Sequence, residues 1–157
     1  MQLQYKNNGE GWQIKKPPTV DDLEKAMLKM PQVDCPVTHH FGGGLYIREA
    51  FMPAGSVVIG HSHKKPTMNI MIKGKLLLIT EDGSKKELIA PQTFMGIAGR
   101  KAAYIIEDTI WQNVHITDET DIEKLEDMFI DKSTAWIENS ELKKLIKSGE
   151  EVKPCLT

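Results

Sequence analysis

The sequence predicts a single, mostly β domain of the sandwich or jelly-roll type, with a short helix before it and one or two helices after it. Its 157 residues suit one domain with a core of its own. In the middle of the chain, short aliphatic runs alternate with turns that contain glycine or proline, which is the pattern of an all-β protein. Helical spacing of apolar residues marks the two ends instead.

A helix is predicted over 20–30. Thr19 follows two prolines and is a suitable N-cap, apolar residues then recur at helical spacing, and Pro31 stops the helix. Residues 1–34 are therefore assigned to an N-terminal arm and helix.

Residues 35–117 are predicted to form a β-barrel. Turns within this range separate five extended segments, 45–52, 56–63, 68–73, 75–80 and 85–89. The sequence Glu-Asp-Gly-Ser at 81–84 predicts a hairpin between the last two.

Residues 118–157 are predicted to be a helical extension. Acidic residues followed by apolar residues at i, i+3 and i+7 predict a capped amphipathic helix over 118–130. A second short helix is expected over 140–147.

Composition excludes several classes of partner. A formal net charge of −2 and a pI near 6.2 give no reason to expect binding to a nucleic-acid polymer. The chain has no apolar run long enough to span a membrane and no apolar region of a signal peptide at its start. Its two cysteines, Cys35 and Cys155, are far apart, which favours a reduced, cytoplasmic protein.

Two histidines separated by one residue mark the predicted site. His61 and His63 would point to the same face of a strand and present two nitrogens to one point. With Gly55 and Gly74 they match the spacing G-x5-H-x-H-x3-E-x6-G, in which Thr67 stands at the glutamate position. This segment resembles the first motif of the cupin superfamily, which implies a cupin jelly roll.

The second cupin motif is similar to residues 88–102. Gly99 matches its glycine, whereas Ala102 stands where the family has a metal-binding histidine. Short single-domain cupins also occur among bacteriophage proteins, which this chain resembles in general character. In that case the protein would act in the host cytoplasm.

A replacement ligand can be placed by strand pairing. If Asp108-Thr109 is a two-residue hairpin turn, Ala102 pairs with His115, and directly opposed residues share a face. His61, His63 and His115 would then hold one divalent metal ion, zinc, iron, manganese or nickel, in an enzyme of the isomerase, lyase or dioxygenase type. The same register places Tyr104, Trp111 and Asn113 along the cavity.

Charge favours a different function. Without the motif glutamate the pocket should lean positive, because Lys64, Lys65, Arg100 and Lys101 adjoin the motifs. Arg100 shares the strand parity of Ala102, and an inward guanidinium would bind phosphate or carboxylate.

The function favoured by the sequence is therefore capture of an anionic metabolite or nucleotide without turnover. The proposed ligand-binding residues are His61, His63, Arg100, Lys64, Tyr104, Trp111 and Asn113. No catalytic residue is assigned, and no cofactor is required by this hypothesis. The metal-dependent enzyme is the alternative, and the resemblance to cupins implies a homodimer or a higher homo-oligomer in either case.

Overall fold

The computed structural model describes residues 5–7, 12–14 and 19–148. Cys155 and the end of the chain, including the expected end of the last helix at Gly149, lie outside the described residues. The strands are β1 (Tyr5–Asn7), β2 (Trp12–Ile14), β3 (Val37–Gly42), β4 (Leu45–Met52), β5 (Val57–Ile59), β6 (Ser62–His63), β7 (Thr67–Thr80), β8 (Lys85–Ile89), β9 (Gln92–Gly96), β10 (Lys101–Ile116) and β11 (Ile130–Asp131). The helices are α1 (Val20–Met27), α2 (Ile122–Phe129) and α3 (Thr134–Ser148).

One antiparallel sheet makes the body of the molecule. Its strand order is β3-β4-β10-β7-β8, with β5 paired to β10 and β9 paired to β7. The long strands β7 and β10 each contribute to both halves of this sheet. One half has the strand order β5-β10-β7-β8, and the other half has the order β9-β7-β10-β4-β3. This architecture confirms the predicted single-domain, mostly β jelly roll with a helix before it and two after it.

Gly74 lies where β7 bends from one half to the other. Its φ is +101°, and a Cβ at this position would collide with the Thr109 side chain and the Asp108 carbonyl. Only glycine accommodates both constraints. The two strands predicted over 68–73 and 75–80 are therefore one bent strand, while the hairpin predicted at 81–84 is confirmed by the bond from Thr80 N to Ser84 O at 3.1 Å.

The hairpin predicted at Asp108-Thr109 is wrong. β10 runs through both residues without reversing, and Ala102 pairs with Ile59 and Ile79 rather than with His115. The register against β7 shifts between Ile105 and Trp111, so the local irregularity is a bulge and not a turn. Thr109 is fully buried there, and its hydroxyl donates to Glu107 O at 2.7 Å.

Helix boundaries follow the caps more closely than the apolar spacing. Thr19 is the N-cap of α1, as predicted, in a capping box with Asp22. α2 begins after Asp121, whose carboxylate accepts from Lys124 N, and it ends at Phe129. α3 begins six residues before the predicted start. No helix in the described ranges is long and apolar enough to cross a membrane.

The apolar core fills one end of the space between the two halves. Its most deeply buried members are Met71, Leu76, Leu88 and Ile105. Trp111 and Phe94 pack against this cluster with their rings edge to face. The other end of the space stays open as a cavity.

Candidate functional site

A cavity of about 410 Å³ lies between the two halves of the sheet. The segment from α2 to α3 lies along it through Leu125, Phe129, Ile130 and Trp136. This volume falls within the range of small-molecule sites, which is roughly 300–1,000 Å³. The cavity is therefore large enough for a metabolite.

Strand register arranges the side chains of the five-stranded half in three rows across β3, β4, β10 and β7. The first row is apolar and consists of Val37, Ala50, Trp111 and Met71. The next row is polar and consists of His39, Arg48, Asn113 and Asn69. The last row is aromatic and consists of Phe41, Tyr46 and His115. The polar row thus lies between an apolar row and an aromatic row.

His61 and His63 both line this cavity, although they do not share a continuous strand. The strand predicted over 56–63 is interrupted at Gly60 and His61, between β5 and β6. His63 pairs instead with Ile130 of β11, and its backbone exchanges hydrogen bonds with Gly99 at 2.9 and 3.1 Å. A strand contributed from beyond α2 thus positions His63.

His115 reaches the same cavity by a different route from the one predicted. It is opposite Tyr46 on β4, and its ring lies between those of Tyr46 and Phe129, at 5.7 and 4.0 Å between centroids. The His63 ring is 6.5 Å away and almost parallel. His61 instead contacts the Trp136 ring edge to face, with centroids 5.0 Å apart.

The predicted metal site does not fit this arrangement. Within the described ranges, no three His, Cys, Asp or Glu side chains could hold a metal ion. His63 Nδ1 is engaged by Thr67 Oγ1 at 3.1 Å, and the His115 ring is enclosed by aromatic rings. Protein zinc and iron sites require three or four converging ligands, and His61, His63 and His115 do not supply them.

The cavity histidines are neutral at pH 7. Burial, together with the nearby charges of Lys101 and Arg48, lowers the pKa of His63 to about 4. Burial and Arg48 lower the pKa of His115 to about 4, and burial lowers the pKa of His61 as well. These rings therefore offer hydrogen bonds and apolar faces rather than charge.

The positive charge of the cavity comes from Arg48 and Lys101, which both line it. In the part of the chain that the structure describes, Arg48 makes no ion pair and no hydrogen bond. Lys101 Nζ donates to the carbonyls of Ile97 and Gly99 at 2.5 and 3.5 Å. The lining carboxylate, Glu126, is paired with Lys132 at 2.5 Å. Neither Arg48 nor Lys101 thus forms an ion pair among the described residues, and the charge of Glu81 acts on Lys101 from a longer distance.

Arg100 does not face the cavity, which corrects the prediction for this residue. Its guanidinium points toward α1, where Nη1 lies 2.7 Å from Asp21 Oδ1 and Nη2 lies 2.6 Å from Glu24 Oε1. Both the Arg100 and Glu24 side chains are 8% exposed. Arg100 precedes β10, which begins at Lys101, so the strand parity assumed for it does not apply, and its acidic partners on α1 are distant in sequence.

The remaining predicted residues divide into two groups. Trp111 and Asn113 line the cavity. Tyr104 is 45% exposed and lies outside the cavity lining, opposite Leu77 of β7. Lys64 also lies outside it, donating to Asp127 O and pairing with Asp131 at 3.6 Å.

An amide network fixes the polar row. Asn69 Oδ1 accepts from Trp111 Nε1 at 3.2 Å and from Asn113 Nδ2 at 2.7 Å. Asn69 Nδ2 donates to Thr67 O at 2.9 Å. Gly96 makes room for this network, because a Cβ on Gly96 would collide with Asn69 Nδ2.

We expect Gly96→Ala to displace the Asn69 amide and to destabilise the protein by about 2 kcal/mol, through lost buried hydrogen bonds. Gly60→Ala is the matched control, since a Cβ there would meet only Lys101 O, at 3.9 Å. Denaturant titration gives both free energies of unfolding. Equal, small losses for the two variants would contradict this account of the network.

Sequence reasoning did not select Arg48, Tyr46 or Asn69. A signal was nevertheless present, because Tyr46, Arg48, Ala50 and Met52 alternate along one predicted strand. A charged side chain on that otherwise apolar face indicates a partly solvated cavity. The missing information was which face of β4 is turned inward.

Comparisons with known proteins give only distant similarities. No family model and no curated protein matches this chain. Similar solved structures include a cupin superfamily protein from Desulfitobacterium hafniense, with 12% identity, TM-score 0.45 and coverage of 75% of this chain and 100% of that one. A cupin domain from Bordetella pertussis has 17% identity, TM-score 0.45 and coverage of 56% and 98%. Ectoine synthase from P. lautus has 10% identity, TM-score 0.48 and coverage of 67% and 83%. The fold assignment rests on the strand topology of the chain itself.

Proposed function

We propose that this protein is a small-molecule-binding protein of the cupin type that captures an organic anion, a metabolite or a nucleotide, in its cavity without turnover. The main observation in support of the proposal is that Arg48 and Lys101 both line a cavity of about 410 Å³. A guanidinium in such a site binds carboxylate or phosphate through two parallel hydrogen bonds.

The geometry supports Arg48 as the main anchor of the anion. Arg48 stands in the polar row beside Asn113 and His39, and its charge acts on both His63 and His115. Because these histidines are neutral and Glu126 is paired with Lys132, Arg48 and Lys101 are the positive charges available to an anion in the cavity. An anion would balance this excess.

Binding without turnover agrees with the chemistry of the lining. His63 and His115, with pKa values of about 4, are weak bases at neutral pH. His63 and His115 are therefore poorly suited to general base catalysis at pH 7.

The experiment is a titration of intrinsic tryptophan fluorescence, since Trp111 and Trp136 both line the cavity. Adenosine monophosphate, glucose 6-phosphate and gluconate are suitable probes. We expect Arg48→Gln to weaken binding about 10- to 100-fold, as loss of a hydrogen bond to a charged group does. Lys73→Gln removes the same charge at an exposed position outside the cavity lining and should leave affinity unchanged. No binding of any probe, or equal binding by Arg48→Gln and Lys73→Gln, would contradict the proposal.

The proposed cellular setting is the cytoplasm, or the host cytoplasm if the chain is encoded by a phage. A homodimer or a higher oligomer is part of the proposal. In its support, Val57, Tyr104 and Ile106 are 43%, 45% and 38% exposed on neighbouring parts of β5 and β10.

A further inference from the structure

Two hydrogen-bond acceptors of the cavity have their orientation fixed by neighbouring groups. The first is the Asn113 amide. Because an indole N–H can only donate, the Asn69 atom that lies 3.2 Å from Trp111 Nε1 must be the oxygen. The Asn113 atom 2.7 Å from that oxygen must then be the nitrogen. Asn113 Oδ1 is left without a partner among the described residues, on a side chain that lines the cavity.

The second acceptor is His63 Nε2. Thr67 Oγ1 donates its single proton to Lys65 O at 3.2 Å. The 3.1 Å contact between Thr67 Oγ1 and His63 Nδ1 must therefore use a proton on Nδ1. Neutral His63 is thus the Nδ1–H tautomer, and its Nε2 carries a lone pair with no partner in the described ranges.

These two acceptors lie near the cations. Asn113 is the cross-strand neighbour of Arg48, and the charges of Arg48 and Lys101 both act on His63. A bound molecule would therefore meet two positive charges and two lone pairs. The lone pairs repel a second anionic group and attract hydroxyl or amino hydrogens.

We infer that the ligand is a polyhydroxylated organic anion, of the sugar-acid or sugar-phosphate class, whose hydroxyls donate to His63 Nε2 and Asn113 Oδ1. This inference rests on the proposed function, because Arg48 and Lys101 supply the anion site. In this account Thr67, which stands at the glutamate position of the cupin motif, is a positioning residue that selects the acceptor tautomer of His63.

Three six-carbon probes distinguish recognition of the ligand's charge from recognition of its hydroxyl groups. Gluconate carries one carboxylate and several hydroxyls, hexanoate keeps the carboxylate without hydroxyls, and sorbitol keeps hydroxyls without charge. We expect calorimetric titration to show gluconate binding at least about tenfold more tightly than hexanoate or sorbitol. Glucose 6-phosphate, compared with inorganic phosphate, tests the phosphate members of the class in the same way.

Thr67→Val tests the tautomer. It should reduce the preference for gluconate over hexanoate about tenfold while leaving the affinity for hexanoate unchanged, and Thr38→Val, on β3, is the control. Long-range proton–nitrogen spectra of the unliganded protein should show the Nδ1–H tautomer for His63, and a shift toward Nε2–H in Thr67→Val. The spectra require no ligand, and Nε2–H in the wild type would overturn the inference.

The outcomes distinguish recognition of hydroxyl donors from capture of an anion. If hexanoate binds as tightly as gluconate and both depend on Arg48, the donor recognition is overturned while anion capture stands. If neither gluconate nor glucose 6-phosphate binding depends on Arg48, anion capture at this site fails, and the inference fails with it.

Discussion

Arg100→Met is expected to lower the free energy of unfolding by about 3–5 kcal/mol, the cost of removing one partner from a buried ion pair. The substitution leaves the Glu24 carboxylate, 8% exposed, without the guanidinium that lies 2.6 Å from it. Burial alone would raise the pKa of Glu24, but hydrogen bonds from Arg100 and Ser133 hold it below its ordinary value. The ion pair therefore attaches α1 to the barrel beside Gly60.

Two further variants make this expectation specific. Arg100→Met combined with Glu24→Leu should recover most of the lost stability, because it leaves no unpaired charge in an apolar environment. Lys75→Met breaks the more exposed pair with Glu87, at 3.2 Å, and should cost less than about 1 kcal/mol. Denaturant titration measures all three. A loss for Arg100→Met no larger than that for Lys75→Met would contradict a structural role for this ion pair.

Lowering the pH from 7 to 5 is expected to reduce the free energy of unfolding by roughly 2–4 kcal/mol. In the unfolded chain His63 and His115 titrate near 6.5, whereas in the folded protein burial lowers both pKa values to about 4. Between these values the unfolded chain binds more protons than the folded one. Stability is therefore fully present above pH 6.5 and is lost as the pH falls toward 4.

Urea titrations at a series of pH values measure how the free energy of unfolding changes with pH. The magnitude follows from about 1.4 kcal/mol per pKa unit, reduced for partial solvent exposure of the rings. The double variant His63→Gln/His115→Gln should have a clearly flatter profile than the wild type over this interval, whatever its absolute stability. The same slope in both proteins would contradict the burial of neutral histidines in the cavity.

The sequence contains enough information for the general architecture because local rules determine it. The run 45–52 alternates between faces and is a strand with those bounds, and Thr19 caps its helix as its residue type predicts. His61 and His63 line the cavity, as their match to the first cupin motif implied, although the strand predicted over 56–63 is interrupted at Gly60 and His61.

Long-range pairing was not predictable from the residues. His115 faces Tyr46, and Arg100 meets Glu24, 76 positions earlier. His63 pairs with Ile130, from a strand that follows the first C-terminal helix. Such contacts depend on which surfaces the folded chain brings together, and a one-residue change in register reverses the face of every side chain in a strand.

Mass spectrometry of small molecules released from the purified, denatured protein tests anion capture most directly. The wild type and Lys73→Gln should each release one predominant anionic molecule, intact and in an amount close to that of the protein. The double variant Arg48→Gln/Lys101→Gln should release little of it. A neutral or cationic molecule, or an anion retained in full by the double variant, would contradict capture by these two cations.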